Sequence, residues 1–230
     1  MHAPASSTEP IPIKPGDAIH TAMSPNACAT LGGRLKVHNQ DLLMTAAHPF
    51  TALLPASHTD EEQKKVYLGS SLDAGILCHS SHSSGRPELN YALILPRPET
   101  HIADNVELTS SPVDGLKFPH FTSEHDFANL AGTRVRSVLA SAGEVAGKIN
   151  TPIPMFLILP GSSELSKVYK VEFDVPLARG VAGAWVFDAS NDSLLGHIVA
   201  GIPEARVAMI VPAYEVFADL AKVVADGLVQ

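Results

Sequence analysis

The alternation of apolar and polar positions predicts a chain built mainly from short β-strands. It is clearest between Val168 and Val175, where apolar side chains occupy every second position from Tyr169 onwards. Lys170 and Glu172 fall between them. Because residues two apart share one face of a strand, this segment predicts a half-buried antiparallel strand.

Shorter apolar runs bounded by turn residues predict further strands. They lie at residues 28–37, 42–46, 66–77, 91–95, 133–139, 155–159, 185–187, 194–199 and 205–211. Many short strands separated by turns are typical of β-barrels and sandwiches. The Ser- and His-rich segment 78–88 is predicted to be an exposed loop.

The end of the chain has a different period. Apolar residues recur there at helical spacing, which predicts an amphipathic helix over residues 213–226. They are Val216, Phe217, Leu220, Val223 and Val224. Residues 1–24 are rich in Pro, Ser and Thr without periodicity and predict an extended arm.

The predicted organisation is therefore one all-β domain over residues 25–230. An N-terminal barrel is expected at about 25–110 and a C-terminal barrel at about 111–212, followed by the helix. At 230 residues the chain has room for two small barrels that share a core.

Composition and charge narrow the function classes. Hydrophobic residues make up 45% and charged residues 17%, as in a packed globule. A net charge of −8 without Lys or Arg clusters argues against a nucleic-acid partner. No stretch approaches the roughly 20 apolar residues of a membrane helix, so no membrane partner is expected.

The N-terminus and the cysteines predict a cytoplasmic protein. Residues 1–10 lack the basic segment and apolar core of a signal peptide. Cys28 and Cys78 are too few for a disulfide framework, which favours a reducing compartment.

Three segments carry the candidate chemistry. They are Thr45–His48 (Thr-Ala-Ala-His), Asn90–Ile94 (Asn-Tyr-Ala-Leu-Ile) and Gly180–Val186 (Gly-Val-Ala-Gly-Ala-Trp-Val), followed by Gly196–Gly201 (Gly-His-Ile-Val-Ala-Gly). In this order they resemble the trypsin-like, chymotrypsin-fold serine proteases. The likeness is strongest to intracellular fungal domains that read Thr-Ala-Gly-His, Asp-Trp-Ala-Leu-Ile and Gly-Asp-Ser-Gly-Ser-Trp-Val. It covers roughly residues 28–220.

The resemblance implies two packed six-stranded antiparallel β-barrels and a C-terminal α-helix. It also implies that His48 is the general base, that Asn90 stands where the family has its orienting aspartate, and that Ala182 stands where it has the nucleophilic serine. The backbone N–H groups of Gly180 and Ala182 would form the oxyanion hole. Val181 replaces an acidic residue of the family.

Gly183 and His197 complete the cleft residues that the resemblance implies. His197 lies in a strand expected to line the substrate cleft, and it is also expected to hydrogen-bond in the core. Trp185 is expected to anchor the core.

These substitutions predict that serine protease activity is absent. Alanine has no oxygen with which to attack a carbonyl group. Asn90 supplies no charge, and an asparagine that turned its NH₂ group towards His48 would select the wrong imidazole tautomer. In proteases the aspartate-to-asparagine change costs about 10⁴ in rate, and loss of the nucleophile costs about 10⁶.

Two functional hypotheses follow. The first is a degenerate pseudoprotease whose cleft binds a peptide, a protein segment or a small ligand. The alternative is a non-hydrolytic enzyme of the cyclase, isomerase or dehydratase type, with His48 as general acid/base on a fungal metabolite. The alternative would place the protein in secondary metabolism. The oligomeric state stays open.

The remaining chemistry-bearing residues predict no cofactor and no metal. Cys78, His79 and His82 are metal-ligand types, but no second ligand pair follows at zinc-site spacing. Cys28 is expected to be a small buried hydrophobe.

Overall fold

The computed structural model describes residues 11–21, 24–53, 64–69, 72–103, 107–110, 115–202 and 205–227. Its N-terminal half contains β1 (Ile11–Ile13), β2 (Ala18–Thr21), β3 (Ser24–Thr30), β4 (Gly33–Val37), β5 (Gln40–Ala46), β6 (Lys65–Leu68), β7 (Leu72–Ser80), β8 (Tyr91–Pro96), β9 (Thr100–Ile102), β10 (Leu108–Ser110) and β11 (Leu116–Pro119). Short 3-10 helices span His48–Leu53 and Pro87–Leu89.

The C-terminal half begins with the short helix α1 (Glu124–Phe127). It continues with β12 (Thr133–Leu139), β13 (Gly143–Ile149), β14 (Met155–Ile158), β15 (Leu165–Phe173), β16 (Trp185–Asp188), β17 (Leu194–Gly201), β18 (Val207–Pro212) and the helix α2 (Ala213–Ala225). The predicted all-β class with a C-terminal helix is confirmed.

The N-terminal half is one antiparallel sheet of nine strands. The strand order is β10-β11-β4-β5-β8-β7-β6-β2-β3, and β1 pairs separately with β9. β2 belongs to this sheet although it falls in the predicted arm, because it pairs with β3 and β6 and buries Ile19 in the core. Isolated apolar residues in a proline-rich stretch give no periodicity, so the pattern places the start of the sheet too late. Residues 1–10 of that arm lie outside the described residues.

The C-terminal half is a closed six-stranded antiparallel barrel. The order is β13-β12-β16-β17-β18-β15, and β15 pairs back onto β13, while β14 adds to β15 outside the ring. β13 is a strand that the apolar runs did not predict. Its inward positions are Val145, Gly147 and Ile149, and a Cβ at Gly147 would lie 2.6 Å from the carbonyl oxygen of Glu172. Because β13 and β15 approach so closely at position 147, only glycine fits there. Glycine has no apolar side chain, so the alternation of apolar residues along β13 is interrupted.

The two halves share a core at Trp185, as predicted for this residue. Its side chain is 2% exposed, and a Cβ at Gly32 or Gly33 would lie within 2.4 Å of the indole ring. Side chains of both halves and of α2 join the same cluster, among them Met44 and Phe217. The ends of β5, β8, β16 and β17 meet near this junction, and these ends carry the candidate site.

The predicted exposed loop at 78–88 is wrong in part. Residues up to Ser80 extend β7, and both Ser80 and Ser81 are completely buried. The Ser81 hydroxyl accepts a hydrogen bond from the Tyr91 N–H (3.2 Å), and the Ser81 N–H donates to the Tyr91 carbonyl (2.9 Å). Serine can satisfy buried backbone groups, so composition alone does not make this turn mobile. Among the described residues, no helix is long and apolar enough to cross a membrane.

Candidate active-site cleft

Asn90 follows the 3-10 turn Pro87–Leu89 in the sequence and directly precedes β8. Its side chain is fully buried. Its φ of 52° lies in the left-handed region, which asparagine tolerates better than most residues. This conformation turns its side chain towards the residues that follow β5. The Asn90 Oδ1 atom accepts hydrogen bonds from the backbone N–H groups of Ala47 and His48, each at 3.0 Å.

Those two donors fix the orientation of the Asn90 amide. Its oxygen, not its NH₂ group, faces the His48 ring, and the distance from Oδ1 to His48 Nδ1 is 3.2 Å. Nδ1 therefore carries the proton in the neutral ring and Nε2 is the basic nitrogen. The wrong tautomer expected from an inverted asparagine does not arise, because the backbone holds the amide the other way. Asn90 Nδ2 is buried with no hydrogen-bond partner in the described part of the chain.

The His48 ring stays neutral near pH 7. Burial lowers its pKa below the usual 6.5, the hydrogen bond that Nδ1–H donates to Asn90 opposes this, and the nearby His82 lowers the pKa further. His197 is 1% exposed, and its Nε2–H donates to the Asn90 carbonyl oxygen at 3.2 Å. Burial lowers the pKa of His197 to about 4. The His48–Asn90–His197 network therefore consists of two uncharged imidazoles and one amide.

The loop before β16 is fastened to β3 and β5. Thr30 donates from Oγ1 to the Gly180 carbonyl (2.6 Å) and from its N–H to the Ala182 carbonyl (2.7 Å). Gly183 has a φ of 97°, and a Cβ there would lie 2.3 Å from the Thr30 carbonyl oxygen and 2.4 Å from Thr45 Oγ1. Only glycine fits this approach, which brings the loop against the segment that ends in His48.

His48 and Ala182 line one open cleft of about 260 Å³. Its other lining residues are Cys28, Pro160, Ala178, Arg179, Gly180, Val181, Val199, Ala200 and Gly201. Of the predicted cleft residues, His48, Gly180 and Ala182 therefore lie together. Asn90, Gly183 and His197 lie behind them, where they hold His48 and the loop in place.

Solved structures share this architecture. A glutamic acid specific serine protease superposes with a TM-score of 0.61 and 12% identity, covering 90% of this chain and 97% of that chain. Thermobifida fusca Protease A gives 0.58 and 13%, covering 91% and 96%. A protease from M. tuberculosis in its active form gives 0.53 and 17%, covering 97% and 94%. The fold is that of the chymotrypsin-like serine proteases.

At these identities the structural likeness establishes the fold, and the chemistry depends on this chain's own residues. No protein-family model matches the sequence, and no curated protein matches it either. The chymotrypsin-like frame nevertheless explains why the segments around His48, Asn90 and Ala182 converge, although His48 and Ala182 are 134 positions apart in the sequence. The ends of β5, β8 and β16 meet where the two halves of this fold pack together.

Two residues that line the cleft were not predicted from the sequence to do so. Cys28, expected to be buried, is exposed and lies beside the loop, since a Cβ at Gly180 would be 3.2 Å from its Cβ. Arg179 is exposed and lines the cleft next to Gly180. No motif marks either residue, and only the packing of β3 against the loop brings Cys28 there.

Proposed function

We propose that this protein is a degenerate, trypsin-like pseudoprotease that does not hydrolyse peptides and whose cleft binds a peptide, a protein segment or a small ligand. The observation that carries this proposal is the pairing of His48 with Ala182 in one cleft. Ala182, which lines the cleft together with His48, ends in a methyl group. A serine-type acyl-enzyme needs an oxygen nucleophile at that point.

The surrounding frame supports a retained binding role. The loop carbonyls are hydrogen-bonded to Thr30, and glycines hold the turn at positions 180 and 183. The cleft therefore does not depend on the missing hydroxyl for its shape. As part of the same proposal, the protein is a cytoplasmic relative of the intracellular fungal domains, consistent with Cys28 and Cys78 forming no disulfide.

One observation favours the alternative, a non-hydrolytic enzyme that uses His48 as general acid/base. Asn90 keeps His48 Nε2 as the basic nitrogen, and burial keeps the ring neutral near pH 7. A neutral imidazole with a fixed tautomer is competent for proton transfer without a nucleophile. The class of reaction would be a cyclisation, isomerisation or dehydration.

A fluorophosphonate probe tests the first proposal, because it labels activated serine nucleophiles. The unmodified chain is compared with a variant that combines Asn90→Asp, Val181→Asp and Ala182→Ser. We expect no labelling of the unmodified chain. Labelling of the triple variant that disappears when His48→Ala is added would show that the frame still supports the chemistry. Labelling of the unmodified chain would overturn the proposal.

A second measurement separates the two functions. Protein purified from its native host is analysed by native mass spectrometry, and any retained ligand is then incubated with the unmodified chain and with His48→Ala. Ligand that is bound and unchanged by both proteins supports the binding role. Conversion by the unmodified chain that His48→Ala abolishes supports the enzyme instead. Full conversion by His48→Ala would reject His48 as its acid/base.

A further inference from the structure

The charge distribution of the cleft indicates the kind of ligand it takes. None of the described residues that line the cleft is Asp or Glu, whereas Arg179 is exposed there. Among the described residues, no carboxylate forms an ion pair with Arg179. Asn90 and Val181 stand where the family resemblance implies acidic groups. The site thus presents a cation that no described carboxylate pairs with, beside positions at which this chain carries no negative charge.

The loop next to Arg179 offers backbone donors as well. The Val181 carbonyl accepts from the Ala184 N–H (3.2 Å). In a planar trans peptide the N–H points opposite to the carbonyl, so the Ala182 N–H points away from that turn. Within the described residues, no acceptor takes the N–H groups of Gly180 or Ala182. Backbone N–H groups without a protein acceptor are a common way to hold a carboxylate.

The missing hydroxyl fits the same ligand. Alanine at 182 leaves room where a serine Oγ would project, and it removes the group that would attack a bound carbonyl carbon. The cleft volume of about 260 Å³ is below the roughly 300–1,000 Å³ of sites for drug-sized ligands. Its walls are small and mostly apolar, including Val199 and Ala200. The last residue of a peptide, or a small molecule of similar size, with a small apolar side chain would fit this volume.

We propose that the cleft recognises a carboxylate attached to a small apolar group, as at the C-terminus of a peptide, through Arg179 and the N–H groups of Gly180 and Ala182. This rests on the proposed function, in which the cleft binds a peptide or small ligand without hydrolysing it. The preference must be local, because the chain's net charge of −8 repels anions at long range. The cleft then binds the kind of chain end that a protease would release.

The test is fluorescence anisotropy with the full chain and a matched pair of probes. One is a fluorescein-labelled Gly-Gly-Ala-Ala-Val peptide with a C-terminal carboxylate, and the other is its carboxamide. We expect the acid to bind at least about tenfold more tightly, the scale of one hydrogen bond to a charged group. Arg179→Gln should weaken the acid about tenfold and leave the amide unchanged. Arg134→Gln, which removes an exposed arginine in β12, should change neither.

Three results would overturn carboxylate recognition: equal binding of acid and amide, no effect of Arg179→Gln, or no binding of either probe. None of them touches the proposed function, which is decided by fluorophosphonate labelling and by mass spectrometry of the peptide after incubation. Cleaved peptide would overturn the proposed function instead. Competition by N-acetyl-L-valine identifies a small acid as a sufficient source of the carboxylate. Competition by the pentapeptide alone identifies a chain terminus, and both support the proposal.

Discussion

Two polar networks start from the neighbouring residues Asn90 and Tyr91, and they differ in charge. On the cleft side, Asn90 contacts His48 and His197, and none of these three residues carries a carboxylate. On the opposite side, the Tyr91 hydroxyl donates to Asp219 Oδ2 at 2.8 Å. Asp219 belongs to α2 and is only 5% exposed.

The second network joins a buried carboxylate to nearby donor groups. Arg86 Nη1 lies 3.5 Å from Asp219 Oδ1, and Arg86 also contacts Glu88. Burial raises the pKa of Tyr91 above its usual value, and Asp219 raises it further. A buried carboxylate with two donors ties α2 to the N-terminal sheet. The comparison teaches that this chain has a buried carboxylate, Asp219, where α2 packs against the N-terminal sheet. At position 90, where the resemblance implies a catalytic carboxylate, it has an amide.

The largest expected effect comes from removing the charge of the second network. Asp219→Ala leaves the Tyr91 hydroxyl without its buried acceptor and removes one of the two partners of Arg86, whose side chain is 41% exposed. The two losses together cost about 3 kcal/mol. We expect that loss in the free energy of unfolding, measured in urea by the fluorescence of Trp185, the chain's single tryptophan. Asp226→Asn, at the exposed end of α2, is the control. A loss below about 1 kcal/mol would contradict a structural role for the network.

The next largest effect is the pH dependence of stability that His197 contributes in the uncharged network. The pKa of His197 is lowered from 6.5 to about 4 by burial, so the unfolded chain binds this proton more readily than the folded chain. Stability from His197 is complete above pH 6.5, falls as the pH drops, and is lost at about pH 4. The total is about 3 kcal/mol at most.

Urea unfolding between pH 7 and pH 4 measures this slope. His197→Gln should flatten it, because glutamine keeps an N–H donor and does not titrate in this range. His125→Gln, at an exposed histidine of α1, should leave the slope unchanged. An equally steep slope in His197→Gln would assign the acid sensitivity to other groups.

The smallest effect on stability is expected from Asn90→Asp. This substitution tests the difference in charge between the two networks most directly, because it adds a carboxylate to the uncharged one. A carboxylate that accepts from His48 Nδ1 favours the imidazolium and should raise the His48 pKa by about one to three units. NMR titration of the His48 ring protons measures the shift. Asn129→Asp, at an exposed asparagine, should leave it in place. An unchanged His48 pKa would show that Asn90 does not control the ring electrostatically.

Particular elements show how far the pattern predicts the fold. β15 and α2 were predicted because their inward residues recur at strand and helix spacing over eight or more positions. β13 was missed because Gly147 sits at an inward position, and β2 was missed because it is short and follows a proline-rich stretch. A long amphipathic element can therefore be predicted from the spacing of its own apolar residues. A short strand forms because of the strands it pairs with, and these are distant in sequence.

The site divides in the same way. Motifs alone place His48, Gly180 and Ala182, and the structure brings them into one cleft. The tautomer of His48 could not be predicted, because the Ala47 and His48 N–H groups decide which way the Asn90 amide faces. Cys28 and Arg179 enter the cleft without any motif.

The sequence by itself determined the all-β class, the terminal helix, the absence of a hydroxyl at position 182 and the absence of charge at position 90. These are properties of residue identity and of periodicity along one chain. Only the tertiary structure decided that Asn90 presents its oxygen to His48, that Asp219 is buried against Tyr91, and that Arg179 faces the same cleft as Ala182. Each of these depends on atoms distant in sequence, and their geometry is set when the two halves pack around Trp185.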